Sequence, residues 1–453
     1  MKVTAVLLAA GQGTRMKSDS PKVLHPLCGR PMLWHVLEAL KAAATEKPVV
    51  VIGHGAEAVQ KYLGEAADCV IQEPQLGTGH AAMQAEPLLK GKTDLVIVTY
   101  ADMPLLRGET FQRLVETQRL NPGPLSLLTV IADDPRGFGR IVRKPDGTVE
   151  AIVEEYVATP EQKQIRELNV GAYCFKADWL WDAIHRIEKN PKKGEYYLTD
   201  ILEIAVKENV PVQAVVHNDF METIGINTRV HLSEAEAAMR MRINRDHMLN
   251  GVSMMNPSAT YIDAGVKIGR DTLLMPDTYL HGETEIGEGN VIGPNTIVRD
   301  SKIGNHCKVL ASVLEGAVLE DDVDMGPFAR LRKGAYLKNH VHMGNFGEVK
   351  DSTLGEGVKM GHFSYIGNAT IGANTNIGAG TITANYDGEK KNSTEIGEDV
   401  FIGSDTMLVA PLKLGDGART GAGAVVTKNV PEDTLVVGMP ARAIRKVERK
   451  KKK

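Results

Sequence analysis

Two periodicities divide the chain. Up to about residue 226, short apolar runs rich in β-formers alternate with amphipathic stretches, and Thr4 to Leu8, Val49 to Ile52, Leu95 to Tyr100 and Leu125 to Val130 read as strands. This alternation predicts an α/β domain, Rossmann-like, with a mostly parallel sheet covered by helices. Ligands of such sheets sit beyond the carboxyl ends of the strands. Residues 227 to about 250 carry strong helix formers, among them Leu232 to Met239, without proline or internal glycine, and predict a connecting helix that ends near Gly251.

From Ile262 the texture changes to hexapeptides that open with an aliphatic residue commonly followed by glycine, as at Ile268-Gly269, Ile286-Gly287, Ile303-Gly304, Ile371-Gly372, Ile402-Gly403 and Leu414-Gly415. Such a period marks a parallel β-helix, in which each coil buries its aliphatic side chains against the next. The run from Thr383 to Glu395 is too long for one hexapeptide and is expected to leave the coil as a loop, which makes it the main functional suspect. The expected organisation is therefore residues 1–226, a helix over 227–250, and a β-helix domain over 251–453.

Composition narrows the picture. At 453 residues the chain exceeds what one core usually organises. The formal net charge of −4 is spread along the chain, which leaves no electrostatic footprint for nucleic acid. Cys28, Cys69, Cys174 and Cys307 are far apart and show no CxxC spacing, so neither a disulfide framework nor a zinc site is expected. The apolar start from Val3 to Ala10 reads as a buried strand rather than a signal core, because no plausible cleavage site follows it. No apolar run approaches the roughly 20 residues of a membrane helix, so no integral membrane segment is expected. The basic run from Lys446 to Lys453 is either a solvated end or a contact for an anionic membrane face or partner.

The first candidate site follows the first strand. Small residues in Leu8 to Met16 let backbone N–H groups approach phosphate oxygens, while Arg15 and Lys22 can neutralise charge that grows in phosphoryl transfer. A glycine-rich turn alone is a weak signal, and this one is neither a Walker A loop nor a GxGxxG fingerprint. Asp102, just past the strand that ends at Tyr100, is either a metal-holding carboxylate or a turn residue before Pro104. Asn227 reads most simply as a helix N-cap. In the second domain, His362 is by type either an ordinary surface or satisfied histidine or, near the loop carrying Asn385-Tyr386, a candidate base for acyl transfer to an amine, since histidine as a residue type titrates near neutrality.

These segments together resemble a known family. LAAGQGTRM from Leu8, PKVLH from Pro21, EPQLGTGHA from Glu73, the D-x-P at Asp102, GFGRIV from Gly137, GEYYLTD from Gly194 and NYDG from Asn385 are similar to the bacterial bifunctional N-acetylglucosamine-1-phosphate uridylyltransferases/glucosamine-1-phosphate acetyltransferases. The likeness covers nearly the whole chain. It implies an N-terminal nucleotidyltransferase domain and a C-terminal left-handed parallel β-helix in a cytoplasmic homotrimer that uses UTP, acetyl-CoA and Mg2+. The sugars would be glucosamine 1-phosphate and N-acetylglucosamine 1-phosphate.

By motif position the resemblance assigns Leu8, Ala9, Ala10, Gly11, Gln72, Gly77, Thr78 and Tyr100 to the nucleotide sugar, Arg15 and Lys22 to the phosphates, and Asp102 and Asn227 to the metal. Gly139, Glu154 and Asn169 would line the amino-sugar pocket, although Glu154 also reads as a solvent-facing acid. In the second domain it implies His362 as general base and Arg332 and Lys350 on the sugar phosphate. Tyr365, Asn376 and Asn385 would complete the sugar site and the oxyanion environment, with Asn385 in a catalytic role, while Ala379, Asn385, Tyr386, Ser404, Ala422 and Arg442 would lie along acetyl-CoA. Without the resemblance, Arg332 and Lys350 are ordinary solvated charges and the two alanines are small residues suited to tight coils. Ala101, Val170 and Phe363-Ser364 depart from the expected glycine, threonine and Leu-Thr. The ending Gly438 to Arg442 is common to hexapeptide acyltransferases. Two other readings remain: a single-activity nucleotidyltransferase whose β-helix only assembles subunits, and a silent scaffold that binds a partner protein.

Overall fold

A computed structural model describes residues 1–191 and 193–446, so most of the basic run that ends at Lys453 lies outside the described residues. The chain divides into two compact units, one from Met1 to Met239 and one from Arg240 onward. The boundary falls inside a helix, Arg229–Leu249, rather than at its ends.

The first unit is built on one sheet whose strands run in the order Val212–His217, Leu125–Ile131, Glu167–Lys176, Leu95–Tyr100, Val3–Leu8, Val49–Ile52 and Asp68–Ile71. All pairs are parallel except those made by Glu167–Lys176, which runs against both its neighbours. Val3–Leu8 is buried at every position, as a strand covered on both faces requires. Alternate residues serve different cores: Val3, Ala5 and Leu7 pack into one cluster, Val6 and Leu8 into another. After the first strand the chain adds Val49–Ile52 and Asp68–Ile71 on one side, then crosses to place Leu95–Tyr100 on the other. The order thus reverses between Val3–Leu8 and Leu95–Tyr100, with Leu8 opposite Tyr100 in register. Loops leaving two strands at such a point diverge and open a crevice.

The second unit is a three-sided parallel β-helix with faces of twelve, ten and nine strands. Its strands begin at Ser253, ahead of the expected Ile262. Ile286, Ile303, Leu319, Leu337, Leu354, Ile371, Ile396 and Leu414 stack through successive coils and are at most 4% exposed. Thr381 and Thr406 donate their hydroxyls to the carbonyls of Gly378 and Gly403 at 2.7 and 2.6 Å, which satisfies backbone groups that the corners would leave bare. Leu354 pairs with Ile371 and Ile371 with Ile396, so the latter turn holds eight residues more than the former. The excess is a loop over 385–393. It is narrower than the expected Thr383 to Glu395, because Ile382–Ala384 and Thr394–Ile396 are strands in the coil. The last pair, Thr434–Gly438 with Ala441–Lys446, is antiparallel and ends the stack.

Candidate functional site

The crevice of the first unit has two lobes that share Tyr100 and Asp102. The larger, about 460 Å3, is lined by Leu8, Ala9, Ala10, Gly11, Lys22, Gln72, Gly77 and Thr78, all expected from the sequence. Gln12, Gln75 and Glu195 line it as well and were not anticipated. Gln72 donates to the Gly77 carbonyl and Gln75 to that of Ala10, both at 2.8 Å, which ties the loops after Asp68–Ile71 and Val3–Leu8 into one wall. The smaller lobe, about 200 Å3, is lined by Gly139, Glu154, Asn169 and Asn227 together with Phe138, Gly171, Thr199 and Gly225, the last four also unanticipated. No spacing rule marks these four, since their strands and loops are remote in sequence.

Glu154 is not the solvent-facing acid that its neighbours suggested. Burial pushes its carboxyl above the usual range, partly offset by the Thr199 hydroxyl, which donates to it at 3.1 Å. Burial likewise pushes the Tyr100 hydroxyl up, with Glu154 adding to the effect. Asn169 donates to the Tyr173 hydroxyl at 2.7 Å and accepts from the Gly171 N–H at 3.2 Å, where the strand Glu167–Lys176 slips register. The departures at Ala101 and Val170 are fully buried packing positions.

Between the lobes, the Lys22 ammonium donates to Asp102 Oδ2 at 2.6 Å and to Asn227 Oδ1 at 2.8 Å. Asn227 is therefore not the helix cap. Thr228 is: its Oγ1 accepts from the His231 N–H at 3.2 Å, leaving the Asn227 amide to face the crevice. The Ile226 N–H donates to the Asp102 carbonyl at 2.9 Å and fastens the two segments together. Arg15, by contrast, is exposed in the short turn Thr14–Met16 and lines neither lobe. Among the described residues no group of three or more His, Cys, Asp or Glu side chains is placed to hold a metal. Asp102 and Asn227 offer two hard oxygens already gathered on one cation, a set that suits Mg2+, which keeps waters and takes further oxygens from substrate phosphates.

The β-helix residues fall at two different corners of the coil. Gly380 N–H donates to the Phe363 carbonyl, Asp405 N–H to Ala379 and Gly423 N–H to Ser404. These bonds stack His362, Ala379, Ser404 and Ala422 at one corner in four consecutive coils. With strands about 4.8 Å apart, the column is roughly 14 Å long. His362, Ser404 and Ala422 are exposed, so the small side chain of Ala422 is not a requirement of the coil interior. Arg442 stands beyond the column on the terminal strand, opposite Val437.

Arg332, Lys350 and the loop over 385–393 lie at the next corner. Asn385 is buried and donates to Asn368 Oδ1 at 2.7 Å. A Cβ on Gly367 would meet Tyr365 Oη at 2.4 Å and Asn385 Nδ2 at 2.7 Å, so only glycine lets these polar groups converge. Lys391, which the sequence did not single out within its suspect loop, has its ammonium pKa pulled down first by Lys350 and also by Arg332. Three cations crowded at one corner favour a multiply charged anion. Arg332 also bonds Glu348 at 3.0 Å. Tyr386 is exposed, its hydroxyl donating to the Gly388 carbonyl. Asn376 stands on the face that precedes the His362 corner, between Lys359 and Phe401.

Comparison with known proteins agrees with this division. The MobA-like NTP transferase domain model matches residues 5–142, and the bacterial transferase hexapeptide model matches 265–300 and 393–428. Relatives named bifunctional protein GlmU are similar over almost the full length: one from Geobacillus sp. (strain WCH70), 45% identical over 98% of this chain and 97% of its own, and one from Geobacillus thermodenitrificans (strain NG80-2), 46% identical with the same coverage. A third, from Streptococcus suis (strain 98HAH33), is 46% identical over 96% of this chain and 94% of its own.

Proposed function

The chain belongs to the bifunctional GlmU family, and on that premise we propose how its residues carry two reactions on one amino sugar. The enzyme acetylates glucosamine 1-phosphate with acetyl-CoA and then transfers UMP from UTP to N-acetylglucosamine 1-phosphate, releasing pyrophosphate and UDP-N-acetylglucosamine for cell-wall synthesis. The observation that carries our residue assignment is the two-lobed crevice with Lys22, Asp102 and Asn227 at its junction.

In the first unit the larger lobe would take the nucleotide and the smaller the amino sugar. Backbone groups of Ala10 and Gly11 approach the phosphates, and Glu154 and Asn169 hydrogen-bond the sugar. A phosphate oxygen of the sugar attacks the α-phosphorus of UTP in line as pyrophosphate leaves, a reaction that needs positioning and charge neutralisation rather than a covalent intermediate. Mg2+, when bound, would neutralise charge on the reacting phosphates. Asp102 and Asn227 would hold it, and Lys22 would meet the phosphate oxygens. Arg15 would join only if its exposed turn moves toward the lobe.

In the β-helix, Arg332, Lys350 and Lys391 would grip the sugar phosphate. His362 would accept the proton that the amine loses as its nitrogen bonds to the thioester carbonyl and CoA departs. Asn385 keeps a second amide hydrogen for the tetrahedral oxygen. The acyl carrier would run along Ala379, Ser404 and Ala422, flanked by Asn376, Tyr386 and Arg442.

His362 and the three cations stand at different corners of their own coil, so a complete site would combine corners of two copies. A homotrimer meets that need. Phe328 and Phe346, stacked at 5.5 Å and about 60% exposed, and the exposed Phe363 give the same corner an apolar strip that a second copy would cover. Among the described residues no helix is long and apolar enough to cross a membrane, and the phosphorylated substrates suit a cytoplasmic setting.

The test is incubation of the protein with glucosamine 1-phosphate, acetyl-CoA, UTP and Mg2+, leaving out each in turn. UDP-N-acetylglucosamine should appear only in the full mixture, and N-acetylglucosamine 1-phosphate should accumulate without UTP. Binding of UTP with no acetyl transfer would favour the single-activity reading.

A further inference from the structure

Lys22 is held in place from two directions. Gly13 has φ +60, and a Cβ there would lie 2.7 Å from Lys22 Cβ, so the turn lets the lysine stem pass where any other residue would block it. At the other end the ammonium is fixed to Asp102 Oδ2 and Asn227 Oδ1, with only 12% of the side chain exposed. These oxygens belong to the same two residues that would hold Mg2+. A divalent cation bonds such oxygens at about 2.1 Å, closer than the ammonium, so one drawn to the same pair would contend for the ground that the ammonium holds.

We propose that Lys22 is a built-in competitor for the divalent cation: its ammonium holds Asp102 and Asn227 together, and metal binding releases it toward the phosphates. The inference rests on the assignment of those two residues as metal donors. A lysine suits the task because its charge is compact and its four-carbon stem pivots freely. The pivot leads into the larger lobe, which Lys22 itself lines beside Gly11, Gln12 and Gly77. Loading of the metal therefore delivers a second positive charge to the nucleotide side. Metal alone competes with an ion pair and binds weakly, whereas metal that arrives with phosphates offers the displaced ammonium new partners and binds more tightly.

The experiment titrates Mn2+ alone into full-length protein free of nucleotide and follows free Mn2+ by electron paramagnetic resonance. Lys22→Met should bind Mn2+ about tenfold or more tightly than the wild type, the scale of one charge-assisted hydrogen bond. Equal or weaker binding overturns the proposal. A second readout uses the wild type, so that it does not depend on the variant's folding: acetylation of Lys22 by an amine-selective reagent, measured by mass spectrometry, should rise when Mn2+ is added. If Mn2+ binds but labelling stays constant, Lys22 is not displaced, and any tightening in Lys22→Met is a long-range charge effect. Asp102→Asn separates the two levels. Mn2+ binding that survives this substitution rejects the metal assignment itself, whereas its loss, with Lys22 labelling in the wild type unchanged by Mn2+, rejects only the competition.

Discussion

In the first unit, residues more than a hundred positions apart, such as Lys22 and Asn227, bond to one another because their strands end on the same side of one sheet. In the β-helix, His362 and Asn385 are close in sequence yet stand at different corners of the coil. A sheet with a reversal point gathers its loops into one crevice. A solenoid does the opposite, laying equivalent residues out in columns along its corners. One unit therefore gathers its candidate site within a single chain, and the other sets its candidate residues at two corners, which the proposed trimer would bring together.

Separating the activities tests this contrast most strongly. His362→Ala should lower acetyl transfer by about 10²- to 10⁴-fold, the usual loss for a general base, and leave uridylyl transfer unchanged. Asp102→Asn should do the reverse, lowering uridylyl transfer more than about 100-fold while acetyl transfer continues, when each product is followed by mass. If either substitution affects both reactions, the two sites are not independent.

Mixed assembly addresses the half-sites. Protein refolded from His362→Ala and Lys391→Ala chains together should, at glucosamine 1-phosphate well below KM, show more acetyl transfer than either parent alone, because some corners then pair an intact imidazole with an intact cation cluster. No gain on mixing would mean that each chain carries its own complete site. By itself, Lys391→Ala should raise KM for glucosamine 1-phosphate by roughly tenfold, one charged hydrogen bond's worth, with little change in KM for acetyl-CoA.

The smallest effect concerns Asp200, the neighbour of Thr199 in the crevice wall. Burial, then the charges of Glu203 and Glu154, raise the Asp200 carboxyl to about 6. A raised acid binds its proton more tightly in the folded state, so stability falls as pH rises from about 4 toward 6 and stays reduced above. Asp200→Asn should therefore raise the melting temperature at pH 7 and leave it nearly unchanged at pH 4, as read by differential scanning calorimetry.

Periodicity along the chain was sufficient for the architecture. The aliphatic-glycine hexapeptides correspond to stacked inward positions from Ile286 to Leu414, and the apolar runs at Val3–Leu8 and Leu95–Tyr100 are the central strands. Motifs likewise marked most of the crevice, because the loops that follow strands are read directly from where each strand ends. Other features depended on contacts between distant segments. Arg15 shares a motif with Gly11, but a turn directs it to solvent. Asn227 looks like a cap until Thr228 takes that role. Glu154 becomes a half-buried acid only when Thr199 and Tyr100 close around it, and Lys391 becomes part of a cation cluster only when the coil brings it beside Lys350. The physical reason is one of range: strand and coil periods arise from neighbours a few residues apart, whereas burial, charge crowding and hydrogen-bond choice depend on groups that only the folded chain brings together.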